Sequence, residues 1–233
     1  MKIVITGASR GLGFSMAEAF AAEGHDLLLT ARNEVRLYQA LESLMGLYPD
    51  QAIKAKPYDL GTKQGATDFG NWVLGLGVIP DILINNAGTF EPGRLIDEPE
   101  GQIEQMLQVN LLSAYYLTRV LLPGMINRKS GHIFNISSIA GLQAYPNGGS
   151  YSISKFALSG FSKNLREELK PYAIKVTGIY PGAVYTDAWS ASGVEPGRIM
   201  KPSDIADMIV QIAKLSPQAV VEELVIRPLA GDL

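Results

Sequence analysis

Short apolar runs alternate with longer amphipathic runs along the whole 233-residue chain. Seven of the short runs are predicted to be strands, and most are apolar on both faces, as a parallel sheet covered on both sides requires. Their sequences are KIVIT, DLLLTA, AIKAKPY, DILINNA, GHIFNIS, IKVTGIY and AVVEELVI. The longer runs have the periodicity of helices, and these helices are predicted at residues 11–23, 33–47, 62–76, 99–128, 150–171 and 202–215.

This alternation predicts an α/β fold with one doubly wound sheet of about seven mostly parallel strands and helices on both faces. The length fits one domain of this type better than two small ones, so residues 1–233 are predicted to form a single domain. In such folds ligands lie beyond the carboxyl ends of the strands. Three irregular stretches, at 89–98, 139–149 and 183–201, follow strands at that edge, and we expect them to shape a binding crevice.

The composition narrows the possible partners and ligands. The net charge is −3 and Lys and Arg form no basic run, so nothing indicates nucleic acid or an anionic membrane as a partner. The chain has no cysteine and its two histidines, His25 and His132, lie far apart, so no metal site is predicted. The first residues already read as a buried strand, and no apolar run approaches the roughly 18 residues of a membrane span. We therefore expect a cytoplasmic protein.

A glycine-rich turn, TGASRGLG, joins the first strand to the first helix and contains Gly7, Gly11 and Gly13. Glycines let a backbone turn sharply and approach a phosphate closely, and a helix N-terminus offers free N–H groups and a positive dipole. The spacing matches neither G-x-G-x-x-G nor a Walker A loop. The turn favours phosphate binding, and the alternative is a tight strand-to-helix turn without a ligand.

The exit of the second strand indicates which dinucleotide would bind. Proteins that prefer NAD place an acid there for the ribose hydroxyls. Here Ala31 and Arg32 occupy the exit, and Asp26 lies at the opposite end of the strand. Arg10 and Arg32 could together flank a 2′-phosphate, because guanidinium groups match phosphate geometry. We therefore predict NADP(H) over NAD(H), the alternative being two solvated arginines.

The segment YSISK places Tyr151 and Lys155 four residues apart at the start of a predicted helix, and therefore on one face. A free tyrosine has a pKa near 10, and a nearby ammonium group lowers that pKa by stabilising the phenolate. Tyr151 could then give a proton to a carbonyl oxygen and take it back in the reverse reaction. By itself the pair is a weak signal, because in most proteins such a pair belongs to an ordinary helix surface, so its interpretation depends on other residues.

Three further polar positions support a site at the same edge of the sheet. Ser137 and Ser138 end the fifth strand, where serines usually cap turns but could instead polarise a substrate oxygen. The fourth strand ends in the polar segment at 85–88, whose glycine lies where a cofactor would pass. Asn110 lies inside a predicted helix, where asparagine is disfavoured, so it either has a function or lies on the surface.

Seven motifs occur in the order and spacing of the short-chain dehydrogenases/reductases, and the chain resembles that family over nearly its whole length. They are TGASRGLG, Asp-Leu at 59–60, NNAG at 85–88, Asn110, Ser138, YSISK and Pro-Gly at 181–182. The resemblance implies a Rossmann fold and an NAD(P)-dependent hydride transfer. The segments PGAVYTDAW and VVEELVIRPLAGDL are similar to those of bacterial sepiapterin reductase-like members, a less specific likeness.

The resemblance implies a role for each of four catalytic residues. Ser138 matches the family's catalytic serine, and Tyr151 matches its general acid/base. Lys155 matches the lysine that lowers the tyrosine pKa and holds the nicotinamide ribose. Asn110 matches the asparagine that supports a water-linked proton relay through Lys155.

The resemblance also implies cofactor contacts. Asp59 matches the acid near the adenine ring, residues 86–88 match the segment bordering the adenosine ribose, and Thr186 matches the threonine that meets the nicotinamide carboxamide. The predicted cofactor-binding residues are Gly7, Ser9, Arg10, Gly11, Leu12, Gly13, Arg32, Asp59, Leu60, Asn86, Ala87, Gly88, Tyr151, Lys155, Pro181, Gly182, Val184 and Thr186.

The predicted function is NADPH-dependent reduction of a carbonyl group in a small molecule. Two alternatives stay open: reduction of a 3-oxoacyl group on an acyl-carrier protein, and a non-catalytic NADP-binding regulator. Substrate choice is expected to lie in the three irregular stretches, with Tyr185 and Trp189 forming a partly aromatic lid and Tyr145 and Asn147 as candidate rim contacts. The alternative for Trp189 is packing within its own loop.

The two longest predicted helices, 99–128 and 150–171, carry broad apolar faces. Part of this surface exceeds what a sheet can cover, which predicts helix pairing between copies of the chain. The family resemblance points the same way, to a homodimer or homotetramer.

Overall fold

The computed structural model describes residues 1–186 and 193–232 and contains one sheet in the strand order β3-β2-β1-β4-β5-β6-β7. Every pairing between neighbouring strands is parallel. The strands are β1 (Lys2–Thr6), β2 (Asp26–Thr30), β3 (Ile53–Ala55), β4 (Ile82–Asn85), β5 (Gly131–Ile136), β6 (Ile174–Pro181) and β7 (Glu223–Ile226). This arrangement confirms the predicted α/β fold with a doubly wound sheet. The strand order reverses between β1 and β4, which is where such sheets bind ligands.

Helices cover both faces of the sheet, because neighbouring strand residues point to opposite sides. Ile3 and Ile5 of β1 pack into one apolar cluster and Val4 packs into the other. The first cluster contains residues of α1 (Gly11–Ala22), α2 (Glu34–Leu47) and α7 (Pro202–Ala213). The second contains residues of α3 (Lys63–Gly75), α5 (Ser113–Arg128) and α6 (Gly149–Leu169). In the described parts of the chain, none of the helices is both long enough and apolar enough to cross a membrane.

The helix predicted over 99–128 is not continuous, and this prediction was wrong in detail. α4 (Gln102–Leu107) is followed by a π-helical turn over Gln108–Leu112 and then by α5. The wider turn surrounds Asn110, whose side chain is committed to hydrogen bonds outside the helix. Such π-helical turns are frequently found at functional sites.

The two outer strands are shorter than their apolar runs predicted. Of the run AIKAKPY only Ile53–Ala55 is a strand, and of AVVEELVI only Glu223–Ile226. Both lie at an edge of the sheet, where a strand has a hydrogen-bonding partner on one side only. An apolar run therefore predicts where an edge strand lies better than it predicts where that strand ends.

Candidate active site

Two cavities lie beyond the carboxyl ends of the strands. The first, of about 340 Å³, is lined by Ser138, Tyr145, Tyr151 and Thr186 together with apolar side chains. The second, of about 540 Å³, is lined by backbone of the glycine-rich turn and by polar and charged side chains. The predicted catalytic and cofactor-binding residues that line the first cavity are Leu12, Ser138, Tyr151, Gly182, Val184 and Thr186. Those that line the second are Gly7, Ser9, Arg10, Arg32, Asp59, Leu60, Ala87 and Gly88. Of the two predicted rim residues, Tyr145 lines the first cavity and Asn147 does not.

The glycine-rich turn packs against Asn86, the residue that follows β4. Gly7 has φ +66°, and a Cβ atom there would lie 3.0 Å from Nδ2 of Asn86. A Cβ atom on Gly13 would overlap the Gly7 carbonyl oxygen, so only glycine fits at both positions. The Asn86 side chain donates hydrogen bonds to the Thr6 carbonyl (2.9 Å) and the Gly7 carbonyl (3.3 Å). Asn86 and Gly13 thus shape the backbone that borders the second cavity.

Three arginine side chains line the second cavity: Arg10 and Arg32, as predicted, and Arg36. Arg36 was missed because it belongs to the first turn of α2, which sequence reasoning treated only as a helix start. A signal was available, since the helix dipole disfavours a cation in the first turn and such a residue needs another reason to be there. Three guanidinium groups beside a glycine-rich turn fit a phosphate-bearing dinucleotide.

Lys155 is buried within α6 and turned towards the sheet. Its side chain is 5 % exposed, and Nζ donates a hydrogen bond of 3.0 Å to the Ile136 carbonyl. Nζ lies 5.8 Å from the ring centroid of Tyr151. Burial lowers the pKa of Lys155 to about 8, so most Lys155 side chains carry a proton at neutral pH.

Burial raises the pKa of Tyr151 to about 12, opposed by a hydrogen bond with the Ser138 side chain. The sequence predicted the opposite direction, a pKa lowered by Lys155. In the structure of the protein alone that prediction is wrong, because removal of the phenol from water disfavours the phenolate more than the neighbouring groups favour it. Tyr151 therefore carries its proton at neutral pH in this state.

The two serines at the end of β5 have different surroundings. Ser138 lines the first cavity beside Tyr151, and its Oγ also accepts a hydrogen bond of 3.1 Å from the Ala140 amide. Ser137 is 5 % exposed, and its hydroxyl donates to the Lys155 carbonyl at 3.2 Å. Only Ser138 is therefore placed to meet a ligand in the first cavity.

Asn110 connects the end of β4 to α6. Its Oδ1 accepts a hydrogen bond from the Thr89 amide (2.8 Å), and its Nδ2 donates to the Thr89 carbonyl (3.1 Å) and to Ser154 Oγ (2.9 Å). A Cβ atom on Gly88 would lie 3.2 Å from Asn110 Oδ1 and 3.6 Å from Lys155 Nζ. The structure thus brings Asn110 and Lys155 together behind Gly88, which lines the second cavity.

The remaining predicted cofactor residues form the other side of the site. Pro181 ends β6, and the Pro181–Gly182 step leads the chain away from the sheet edge towards Thr186. A Cβ atom on Gly11 would lie 3.3 Å from Thr186 Cγ2, so the start of α1 and this segment are in close contact. Trp189, predicted as part of a lid, lies outside the described residues.

Sequence reasoning missed several residues that line the first cavity. Phe90 packs edge-on against Tyr151, with ring centroids 4.7 Å apart and ring planes at 80°. Arg227 and Asp232, from the segment after β7, line the same cavity and form an ion pair at 3.3 Å. Phe90 lies in the irregular stretch 89–98, so its region was predicted although the residue was not. Nothing in the local sequence indicates that the segment after β7 returns to the cavity.

The comparisons with known proteins agree with this architecture. Residues 1–195 match the family described as short chain dehydrogenase, and the chain belongs to this family of oxidoreductases. A sepiapterin reductase of Chlorobaculum tepidum is 33 % identical over 240 residues, which cover 99 % of this chain and 97 % of the relative. An uncharacterized oxidoreductase of Staphylococcus saprophyticus is 30 % identical over 225 residues, covering 97 % and 96 %.

Solved structures of related fold hold nicotinamide cofactors. An alcohol dehydrogenase from Thermococcus sibiricus complexed with 5-hydroxy-NADP has a TM-score of 0.90 and 28 % identity, covering 100 % of this chain and 98 % of the other. L-Sorbose reductase from Gluconobacter frateurii, complexed with NADPH and L-sorbose, has a TM-score of 0.89 and 27 % identity, covering 97 % and 94 %.

Proposed function

We propose that the protein is an NADP(H)-dependent oxidoreductase that reduces a carbonyl group of a small molecule to an alcohol. The observation that carries this proposal is the first cavity, where the Tyr151 and Ser138 hydroxyls face one space with the buried Lys155 ammonium behind them. An acid, a hydrogen-bond donor and a cation around one cavity are the groups that carbonyl reduction requires.

The second cavity supports NADP(H) as the cofactor. The glycine-rich turn would hold the pyrophosphate at the N-terminus of α1. Arg10, Arg32 and Arg36 would surround the 2′-phosphate, and no acid takes the place of Arg32 at the exit of β2. The solved relatives with NADP-type ligands support the same choice. When bound, the reduced cofactor supplies the hydride.

Ser138 and Tyr151 would act directly on the carbonyl oxygen of the substrate, and Lys155 and Asn110 would support them. Ser138 Oγ would donate a hydrogen bond to the carbonyl oxygen and orient it towards Tyr151. Tyr151, which keeps its proton at neutral pH, would transfer that proton to the same oxygen as negative charge develops there. The positive charge of Lys155 would stabilise the phenolate left on Tyr151. Asn110 would hold α6 and the segment after β4 in fixed positions while this occurs.

The lining of the first cavity favours a small neutral substrate. Phe90, Ile139 and Val184 contribute apolar surface, and the two charged side chains, Arg227 and Asp232, are paired with each other. The sepiapterin reductase relative is consistent with a carbonyl compound of this size. Reduction of a carrier-protein substrate would need a basic docking surface, whereas Arg198 donates its hydrogen bonds to the carbonyls of residues 231 and 232.

The proposal includes a homodimer or homotetramer in the cytoplasm. It is supported by apolar side chains on the outer face of α6, where Ile153 and Phe156 are each 44 % exposed. On the adjoining helix, Tyr115 contacts Phe161 of α6 with ring centroids 5.8 Å apart, so aromatic surface continues from one helix to the other. A second copy of the chain would bury this surface.

The decisive experiment is Tyr151→Phe, assayed by NADPH oxidation with a panel of diketones, pterins, aldehydes and 3-oxoacyl thioesters. Removal of the phenolic proton is expected to lower kcat/KM at least about 100-fold, the usual contribution of a general acid. Binding of NADPH, followed by its fluorescence, is expected to stay within a few-fold of the wild type.

Tyr172→Phe serves as the matched control, because Tyr172 is on the surface at the end of α6 and contacts neither cavity. A Tyr151→Phe enzyme with nearly normal kcat/KM would contradict the mechanism. NADPH binding by the wild type without turnover of any carbonyl compound would support a regulator instead.

A further inference from the structure

The helix that carries Tyr151 and Lys155 is capped by a residue from a distant part of the chain. α6 begins after Gly148, which has no side chain to accept a hydrogen bond from the first turn. Instead, the Glu98 carboxylate accepts hydrogen bonds from the Ser150 amide (2.6 Å) and from the Ser150 hydroxyl. Ser150 is fully buried and directly precedes Tyr151. A carboxylate at this end of a helix also interacts favourably with the helix dipole.

A second contact ties the same two segments together. The Gly93 amide donates a hydrogen bond of 2.9 Å to the Asn147 carbonyl, just before α6. Gly149 has φ +45°, and a Cβ atom there would overlap both Glu98 Oε1 and the Gly93 carbonyl oxygen. The segment 89–98 therefore packs directly on the backbone of the first turn of α6.

The segment 89–98 also places the Phe90 side chain against the ring of Tyr151. Its first residue, Thr89, is held by Asn110, and its last, Glu98, is held by Ser150. Between these two anchors, Phe90 packs edge-on against the ring of Tyr151 while remaining 43 % exposed. Because almost half of the Phe90 side chain is exposed, burial fixes its position only in part, and the two anchors of its segment limit where it can lie.

We infer that Glu98 is a positioning residue for Tyr151, acting through Ser150 on the first turn of α6 and through the segment 89–98 on Phe90. This inference rests on the proposed function for its catalytic consequence. Because Glu98 lines neither the first cavity nor the second, its role is to fix the direction of the phenol rather than to contact a ligand. Small displacements of a reacting group are enough to lower a rate by orders of magnitude.

The experiment compares Glu98→Ala with Glu98→Gln, using Glu100→Ala as a control. Glutamine can replace both hydrogen bonds, since its amide oxygen accepts from the Ser150 amide and its NH₂ group donates to the Ser150 hydroxyl. Alanine replaces neither. Glu100 is an exposed glutamate close by in sequence.

We expect Glu98→Ala to lower kcat at least about tenfold while KM for NADPH stays within about twofold. Glu98→Gln is expected to recover kcat to within about threefold of the wild type, and Glu100→Ala to match the wild type. Hydrogen exchange gives a readout that does not depend on activity: amides of residues 89–98 and 149–155 are expected to exchange at least about tenfold faster in Glu98→Ala than in Glu98→Gln.

Unchanged exchange in Glu98→Ala would overturn the inference, whatever the activity of the wild type. So would faster exchange with an unchanged kcat, or an equal loss of kcat in Glu98→Ala and Glu98→Gln. The wild type could reduce no carbonyl compound while hydrogen exchange still differs between Glu98→Ala and Glu98→Gln as expected. In that case the proposed function fails, but the role of Glu98 in positioning the first turn of α6 stands.

Discussion

Arg32 and Arg36 bring two positive charges to one wall of the second cavity from different elements, the exit of β2 and the first turn of α2. If Arg32 and Arg36 bind the 2′-phosphate, they contact a group that NADPH has and NADH lacks. This makes the two residues separable from the rest of the site by experiment.

Arg36→Ala is expected to raise KM for NADPH about 10- to 100-fold, since a hydrogen bond to a charged group contributes about 1.5–3 kcal/mol. KM for NADH is expected to change less than about threefold. Steady-state kinetics with both cofactors measures this, and NADH is the internal control because it has no 2′-phosphate. An equal rise in both KM values would mean that Arg36 does not distinguish the cofactors.

For single residues, the sequence predicts which side chains are neighbours but not how deeply they are buried or what else contacts them. The spacing in YSISK predicted that Tyr151 and Lys155 are neighbours, and their separation in the structure agrees. The pKa of Tyr151 could not be predicted, because its direction depends on burial by Phe90 and other residues distant in sequence. The contact between Glu98 and Ser150 was invisible for the same reason.

The π-helical turn over Gln108–Leu112 widens the helix around Asn110, whose side chain forms hydrogen bonds with residues outside the helix. A regular helix would bring Asn110 into the repeating pattern of its neighbours, whereas the wider turn aims its amide at Thr89 and Ser154. The misplaced asparagine was evident from the sequence. That the helix would widen around it was not, since amphipathic periodicity continues across the turn.

Asn110→Asp is expected to lower the free energy of unfolding by about 1–3 kcal/mol, because a carboxylate cannot donate to the Thr89 carbonyl or to Ser154. Denaturant unfolding measures the change. Asn164→Asp is the matched control, since its amide donates to the Gly160 carbonyl on an exposed part of α6. Equal, small changes in both variants would show that the Asn110 contacts do not stabilise the turn.

For the whole molecule, the apolar outer face of α6 predicts association. The wild type is expected to scatter light as a species of at least twice the 25.1 kDa chain mass. Phe156→Glu is expected to weaken association at least about 100-fold, because a buried charge in an apolar interface is strongly unfavourable. Val35→Glu, on the exposed surface of α2, should leave the mass unchanged. A wild-type monomer at micromolar concentration would contradict the proposal.

The architecture of the sheet was predictable from the sequence because every inner strand is buried on both faces and therefore appears as an apolar run. The neighbouring residues Leu28 and Leu29 of β2 are both buried although they face opposite helix layers. The return of Arg227 and Asp232 to the first cavity was not predictable, since it depends on the path of an irregular segment and on hydrogen bonds from Arg198.

The central position of β1 has a consequence for how the chain folds during synthesis. β1 is made before β2 and β4. It can pair with β2 early, but its other neighbour is β4, so Ile3 has no partner on that side until Ile82 has been made. Until then one edge of a strand with three consecutive apolar residues, Ile3 to Ile5, is unpaired, which is the kind of edge that promotes aggregation. The segment before β4, residues 1–81, therefore leaves one edge of the central strand unprotected until β4 has been made.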